Sequence, residues 1–152
     1  MKLKIFSFVF VFMLLFVGIS LSSEEEGFSE VPKVTNVTVS AILASTDDPF
    51  VSPELEEFSQ ELNSVFAFKG FKLEQVYGVT FKTGEIDRVI MPYEDDIVLE
   101  LKDYDNEGKA VFLLTIKGKL KTTFSIMNNG HLVIGGPKYD RKTLILLIKA
   151  EY

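Results

Sequence analysis

Only a few residues of this sequence have types and spacings that could do chemistry. His131 is the single histidine and there is no cysteine, whereas zinc sites need three or four His, Cys or carboxylate ligands. The segment 103–108 reads DYDNEG and carries the acids and the glycine of the first half of a calcium-binding loop. Such a loop also needs a bidentate glutamate at its position 12, and that position is Leu114 here. We therefore predict no metal ligands and interpret 105–108 as a hairpin turn.

Pairs of acidic residues occur at 47–48, 56–57 and 95–96. Glycoside hydrolysis needs two carboxyl groups held about 5 to 10 Å apart across a cleft, whereas neighbouring residues of a strand point to opposite faces. The sequence has no Gly-x-Ser-x-Gly nucleophile elbow. His131 directly follows a turn, where a polar residue is ordinary. The sequence therefore predicts no catalytic residue, no cofactor and no enzyme, and an enzyme of carboxylate chemistry is only the third hypothesis.

Three lysines, Lys117, Lys119 and Lys121, recur at every second position. This spacing predicts that they line one face of a strand, opposite Ile116, Gly118 and Leu120, because successive side chains of a strand alternate between its faces. Such a row could bind an acidic partner or a polyanion. It could also protect an edge strand from aggregation, which is a common use of lysine. We favour edge protection and keep partner binding as the alternative.

A second candidate site lies in the stretch FAFKGF, which contains Phe66, Phe68 and Phe71. Ligand pockets are lined mostly by apolar and aromatic side chains. If the sheets of the domain enclose an apolar cavity, we expect these three phenylalanines to lie near its mouth.

The first 23 residues have the composition of a secretory signal peptide. Lys2 and Lys4 precede an apolar run over 5–17, and small residues follow it, which is the usual order of the charged, apolar and cleavage regions. We expect a signal peptide over 1–22 with cleavage before Ser23, and a second candidate site before Leu21. The alternative is an uncleaved anchor, although a spanning helix needs about 20 apolar residues. The sequence therefore predicts an extracytoplasmic protein, periplasmic or secreted.

Composition limits the partners of the mature chain. Without Lys2 and Lys4, the 16 Lys and Arg fall to 14 against 22 Asp and Glu, so the net charge moves from −6 to −8. An acidic domain is repelled by phosphate backbones and by anionic lipid, so we expect no nucleic acid as a partner. The absence of cysteine excludes disulfides, a lipid-modified cysteine and thiol chemistry. Residues 23–33 contain the run Glu24–Glu26 and are interpreted as an acidic flexible linker.

One helix is expected near the start of the folded part. Ser52 suits the N-cap and Pro53 the first helical position, and the glutamates that follow complement the helix dipole. We predict that one apolar stripe at helical spacing packs on a sheet. The stripe consists of Leu55, Phe58, Leu62, Val65 and Phe66.

Alternating apolar and polar residues predict antiparallel strands over most of the remaining chain. The predicted strands are 37–43, 71–81 with a break or bulge near Gly78, 86–91, 97–102, 110–116, 120–126, 131–134 and 143–150. Asn129-Gly130 is the strongest hairpin signal, and Gly135-Gly136-Pro137 is expected to end the following strand. We predict a mainly β (α+β) fold over 34–152, an antiparallel β-sandwich or open barrel of about seven to eight strands with one packed N-terminal helix.

The stretch HLVIGG, from His131 to Gly136, follows the Asn129-Gly130 turn. This order of turn, apolar strand and Gly-Gly resembles the strand ending of secretin-type outer-membrane channel proteins. The chain is also similar to small exported bacterial β-rich proteins of unknown function, in which a short helix precedes a run of strands. The resemblance implies a cell-envelope setting and a β-rich module, and it implies no activity.

Two functional hypotheses follow from these features. The first is an exported, non-catalytic binding module of the envelope or the extracellular space, accessory to a secretion or surface assembly and bound to a protein partner. The second is a carrier of a small apolar ligand within a β cavity. Neither needs a cofactor or insertion into a membrane after the signal is removed, and both leave the oligomeric state open.

Overall fold

The described part of the chain consists of eight strands and one short helical segment. The computed structural model describes residues 34–90 and 96–152, so the expected signal peptide and acidic linker, 1–33, lie outside it. Between the first two strands, a 3₁₀ turn over Pro53–Phe58 leads into helix α1, Ser59–Val65. The strands are β1 (Thr35–Ser45), β2 (Gly70–Phe81), β3 (Ile86–Ile90), β4 (Asp96–Tyr104), β5 (Ala110–Ile116), β6 (Leu120–Ile126), β7 (Gly130–Tyr139) and β8 (Lys142–Glu151).

The strands form two antiparallel sheets of four. Sheet A has the order β2-β1-β8-β7, and sheet B has the order β3-β4-β5-β6. Sequence neighbours are paired except at two seams, β2–β3 and β6–β7, and β8 pairs back with β1. Across the first seam the Tyr77 hydroxyl donates a hydrogen bond to Asp87 at 3.2 Å. The predicted mainly β sandwich is confirmed, and the two seams mean that the sheets do not close into a barrel.

Apolar side chains from both sheets fill the space between them. Alternate residues of each strand point into this layer, as Leu99 of β4 and Leu146 of β8 do, and both are fully buried. Phe112 of β5 contacts Phe81 at 6.1 Å and Phe124 at 5.7 Å between ring centroids. Full burial of a leucine or phenylalanine side chain contributes about 1.5–3 kcal/mol, so this layer is a main source of the free energy of folding.

Sheet A is also covered on its outer face. All of residues 144–148 in β8 are buried, because Ile145 and Leu147 point out of the sandwich core into a second apolar layer under the helical segment. Ile42 and Ala44 of β1 belong to the same layer. A strand that is buried on both faces has a continuous apolar run instead of alternation. This explains the sequence LILLI in β8.

The helical segment begins where the sequence predicts, but its first part is a 3₁₀ helix, which is wound more tightly than an α-helix. Residues Pro53–Phe58 are a 3₁₀ turn, and only Ser59–Val65 is α-helical. Leu55, Phe58 and Leu62 are buried in the apolar layer on sheet A. The predicted packing of the stripe on a sheet is therefore confirmed for these three residues.

Two details of this segment differ from the prediction. Val65 is 58% exposed, because the helix ends at this residue and Phe66 is already extended. Ser52 occupies the N-cap, but its side chain makes no cap hydrogen bond. Instead Ser52 Oγ accepts a hydrogen bond from the Leu73 N–H, and the Ser52 N–H donates to the Phe71 carbonyl, both at 2.9 Å. Ser52 therefore joins the start of the helical segment to β2.

The Asn129-Gly130 turn does not form a hairpin, contrary to the prediction. Asn129 has a φ of 58°, and the Gly130 N–H donates to the Met127 carbonyl at 2.8 Å, so the local reversal is present. The turn leads from β6 in sheet B to β7 in sheet A, and β7 pairs with β8. Turn residues favour a local reversal, whereas the partner of β7 depends on which sheet buries its apolar side chains.

Two strands continue through positions where a break was predicted. β2 runs through Gly78, and its irregularity lies instead opposite the step from Ala41 to Ile42 of β1. β7 continues through residues 135–137 with a register shift. β7 is an edge strand of sheet A, where a proline is tolerated because it need not donate to a further strand.

Tyr152 closes one end of the sandwich. The Ala110 N–H donates to its hydroxyl at 3.2 Å, and this hydroxyl also lies 2.8 Å from the carbonyl oxygen of Gly108 and 3.0 Å from that of Ile126. Its ring contacts Tyr104 edge-on at 5.3 Å between centroids. Burial raises the pKa of the Tyr152 hydroxyl. The opposite end, with the β5–β6 and β7–β8 turns, contains one of the two candidate sites.

Candidate functional site

The three lysines singled out in the sequence do not share a strand face. Lys117 and Lys119 lie in the turn between β5 and β6, on either side of Gly118, which has a φ of +71°. The predicted face is wrong because this left-handed glycine reverses the chain where an extended segment was expected. Lys121 lies in β6, an edge strand of sheet B. Its position is the one that edge protection requires.

The β5–β6 turn lies beside the turn between β7 and β8. Lys119 Nζ is 4.6 Å from the centroid of the Tyr139 ring, which is within cation–π range. The second turn and the strand ends beside it add three more cations. We call this cluster the basic end; it consists of Lys117, Lys119, Lys138, Arg141 and Lys142. The fold thus gathers cations that are about 20 residues apart in the sequence.

Two adjoining pockets lie at the basic end. One has a volume of about 550 Å³ and includes Leu43 and Tyr139 in its wall. The other has a volume of about 370 Å³ and includes Phe68 and Lys138. Residues 140–142 line both, so the β7–β8 turn lies between the two pockets. Both volumes fall in the range of small-molecule pockets, about 300–1,000 Å³.

Most cations of the basic end have no ion-pair partner in the described part of the chain. Within residues 34–90 and 96–152 this holds for Lys117, Lys138, Arg141 and Lys142. Four described lysines in other places are paired with glutamates, for example Lys102 with Glu100 at 2.9 Å, and these are Lys72, Lys102, Lys109 and Lys149. The charges of Lys117, Lys138, Arg141 and Lys142 are therefore available to another molecule.

Three carboxylates also line these pockets: Asp47, Asp48 and Asp140. Asp48 Oδ1 accepts a hydrogen bond from the Phe50 N–H at 3.0 Å, and Asp47 Oδ1 accepts one from the Thr46 hydroxyl at 3.3 Å. Both carboxylates are therefore engaged within their own loop. At this end the described cations outnumber the described carboxylates, although the chain as a whole is acidic.

The three phenylalanines predicted to border a ligand cavity lie together in the apolar layer outside sheet A. Phe71 is fully buried, while Phe66 and Phe68 are half-buried and pack against this layer. Phe68 is 6.3 Å from Phe66 and 6.4 Å from Phe71 between ring centroids. Phe66 also lies against Gly135 of β7, where an added Cβ would be 3.0 Å from its ring. Phe68 also lines the smaller pocket at the basic end.

The second candidate site is a groove on the outer face of sheet A, beside the helical segment. We call it the helix groove. It has a volume of about 430 Å³, and residues from β1, β7, β8 and the 3₁₀ turn contribute to its lining. Its lining includes Asn36, Thr38, Phe58, His131, Lys149 and Glu151.

His131 and Lys149 are cross-strand partners on β7 and β8, and both bind the helical segment. His131 Nε2 lies 2.7 Å from a carboxylate oxygen of Glu61, and Lys149 Nζ lies 3.1 Å from one of Glu57. Phe58 contacts both side chains: Lys149 Nζ is 4.3 Å from its ring centroid, and the His131 ring is edge-on at 5.2 Å. Sequence reasoning missed these pairs because the partners are 70 and 92 residues apart.

The polar residues singled out in the sequence as candidates for catalysis or metal binding make hydrogen bonds within the fold. His131 forms its hydrogen bond with Glu61, and among the described residues no group of three His, Cys, Asp or Glu could hold a metal ion. The calcium-like segment is the β4–β5 turn, as predicted. There Asp105 Oδ1 accepts hydrogen bonds from the N–H groups of Glu107 and Lys109, both at 2.9 Å. This carboxylate stabilises its own turn.

Comparison with protein-family models, curated proteins and solved structures found no match for this chain. Within the described residues, no helix has both the length and the apolar character needed to cross a membrane.

Proposed function

We propose that this chain is an exported, non-catalytic binding module of the cell envelope or the extracellular space, accessory to a secretion or surface assembly. Its binding surface is the basic end, and its partner is a protein with an acidic patch. The observation that carries the proposal is the group of four cations without ion-pair partners in the described part of the chain, Lys117, Lys138, Arg141 and Lys142.

The charge distribution supports one orientation of such a partner. The chain is acidic overall, so most of its surface repels an acidic protein, whereas the basic end attracts it. Charges more than about 8–10 Å apart are largely screened at physiological salt, so local patches decide how the two surfaces meet. Charge complementarity of this kind gives specificity and a faster association rate. Tyr139 and Arg141 add residue types that are enriched in the energetic centres of protein interfaces.

In-cell cross-linking of the exported fraction tests this proposal. A photo-reactive amino acid replaces Asp140 in the β7–β8 turn, and the captured protein is identified by mass spectrometry. In a variant with Arg141→Glu and Lys142→Glu we expect capture to fall about tenfold, the equivalent of roughly 1.4 kcal/mol. A matched control with Lys82→Glu and Lys109→Glu has the same change in net charge away from the basic end, and it should capture the partner as the wild type does.

The dependence of capture on ionic strength and the control variant together show whether the partner binds the basic end specifically or is attracted by charge in general. Capture by the wild type should weaken as ionic strength rises, because the contacts are between exposed charges. Recovery of no specific protein, or equal recovery with the basic-end variant, would contradict the proposal.

Export is tested separately by N-terminal sequencing of the protein recovered outside the cytoplasm. We expect the mature chain to begin at Ser23, or at Leu21 if the second cleavage site is used. A full-length chain that keeps Met1 and stays in the cytoplasm would contradict export without affecting the binding test.

A second candidate function is a carrier of a small apolar ligand. The pocket of about 550 Å³ at the basic end, with Leu43 and Tyr139 in its wall, supports it. The space between the sheets is occupied by buried side chains, so this pocket is the better location for such a ligand. Native mass spectrometry after gentle purification should then show a bound small molecule, and the bare polypeptide alone would count against this function.

A further inference from the structure

The outer face of sheet A changes from apolar to polar along its strands. In β1, Ile42 lies under the helical segment, whereas Asn36 and Thr38 lie beyond it in the helix groove. In β8, Leu147 lies under the helical segment, and Glu151 lies in the groove. The helical segment therefore covers the apolar half of this face and leaves the polar half as the floor of a groove.

The side chains on this floor have hydrogen-bonding capacity that the protein does not use. In the described part of the chain, Thr38 and Glu151 make no side-chain hydrogen bond. Asn36 Oδ1 accepts a hydrogen bond from the Thr80 hydroxyl at 2.9 Å, which leaves the donors of the Asn36 amide for another molecule. Together these groups offer a hydroxyl that donates and accepts, an amide that donates and a carboxylate that accepts.

Carboxylates lie beside the nitrogen-bearing side chains of the groove. Lys149 Nζ lies 3.1 Å from a carboxylate oxygen of Glu57 and His131 Nε2 lies 2.7 Å from one of Glu61, so each has a carboxylate beside it that repels an anion. Glu151 adds a carboxylate, which repels an anion further. Phe58 is only 9% exposed and has the Lys149 ammonium over its ring, so this ring does not offer an open face to a flat apolar ligand.

We infer that the helix groove is a binding site for a neutral polyhydroxylated ligand, that is, a mono- or oligosaccharide. Sugar hydroxyls both donate and accept hydrogen bonds, so they match the Thr38 hydroxyl, the Asn36 amide and the Glu151 carboxylate. The volume of about 430 Å³ is within the range of small-molecule pockets.

This site is separate from the basic end. Lys142 and Glu151 lie at opposite ends of β8, which at a rise of about 3.3 Å per residue places them about 30 Å apart. The two sites also differ in charge, since the basic end has unpaired cations in the described part of the chain and the groove does not. The inference therefore does not rest on the proposed protein partner.

Titration of the isotope-labelled mature protein, followed by amide chemical shifts, tests the inference. The probes are maltotriose and tri-N-acetylchitotriose, with glucuronate and inorganic phosphate as anionic probes. We expect a neutral saccharide to shift the backbone amides of Thr38 and Lys149 and to leave those of the basic end unchanged.

Two variants and one control give the test its specificity. Thr38→Val removes one hydroxyl at nearly constant shape, and we expect about a threefold to tenfold loss of affinity, as for one hydrogen bond. Asn36→Asp replaces an amide donor by a carboxylate and should also weaken binding. Thr123→Val, at an exposed position of β6 in sheet B, should bind as the wild type does.

Three results would overturn the inference: no shift with either neutral saccharide, shifts with the anionic probes alone, or unchanged affinity in both groove variants. The amide spectrum of each variant without ligand shows whether it is folded, and because the two variants lie at different positions of β1, loss of one to misfolding leaves the other as the test.

Discussion

Gly70 is the position where a single methyl group should disturb the fold most clearly. It is buried at the start of β2, and an added Cβ would lie 2.0 Å from the Asp48 carbonyl oxygen and 2.6 Å from that of Phe50. Both contacts are with backbone, so no side-chain rotation relieves them. The Phe50 carbonyl also accepts a hydrogen bond from the Phe71 N–H at 2.9 Å. Residues 48–50 can therefore move away only if this contact between the loop and β2 is broken.

The expected effect of Gly70→Ala follows from these distances. Overpacking of a buried site destabilises by about 1–3 kcal/mol, and the loss of one hydrogen bond adds about 0.5–1.5 kcal/mol. We expect the free energy of unfolding to fall by about 3 kcal/mol. The loop over 46–50, which lines both pockets of the basic end, should shift as well.

Gly78→Ala in the same strand is the matched control. An added Cβ at Gly78 meets nothing within 4 Å, and alanine is favoured over glycine inside a strand by about 0.5–1 kcal/mol. Urea denaturation of the mature protein, followed by circular dichroism, measures both variants on one scale. Equal stability of the Gly70→Ala and Gly78→Ala proteins would refute the close packing of residues 48–50 on β2.

Two further predictions concern the helical segment and the closed end of the sandwich. Leu62→Ala should lower the free energy of unfolding by about 2–5 kcal/mol because Leu62 is fully buried. Val65→Ala should change it by less than about 0.5 kcal/mol because Val65 is largely exposed. Similar losses for the two variants in urea denaturation would contradict the exposed position of Val65. Tyr152→Phe should cost about 1–3 kcal/mol, because the Ala110 N–H loses its acceptor. Burial raises the pKa of Tyr152 above its ordinary value of 10.0, so its contribution to stability is complete below pH 10 and is lost as the pH rises through the folded-state pKa. Above pH 10 the wild type should therefore lose stability more steeply than Tyr152→Phe in pH-dependent unfolding, and parallel curves would contradict the burial of this hydroxyl.

Local features of the fold were predictable because their causes lie within a few residues. The β4–β5 turn at 105–108 is stabilised by the Asp105 carboxylate, which accepts hydrogen bonds from N–H groups two and four residues later. Pro53 marks the start of the helical segment because its ring fixes φ and it needs no N–H partner there. The alternation in β5 predicts which of its side chains point into the core, and its buried positions follow that pattern.

Features that depend on distant residues were missed or predicted wrongly. The spacing of Lys117 and Lys119 favours a strand, but Gly118 adopts a left-handed conformation in a turn. Val65 continues the apolar spacing of the helix, yet the helix ends at this residue and the Val65 side chain is largely exposed. The pair between His131 and Glu61 joins residues 70 positions apart, and no local signal in the sequence indicates it.

The sequence by itself predicted a mainly β fold, a sandwich or an open barrel, together with the short helical segment and its packing on a sheet, since alternation and turn preferences act between near neighbours. The tertiary structure decided that Asn129-Gly130 connects two sheets and that β7 pairs with β8. The tertiary structure also brings together the residues of the basic end and those of the helix groove, which are far apart in the sequence. The physical reason is that the pairing of a strand depends on whether its whole apolar face becomes buried. That burial depends on side chains from every layer of the molecule.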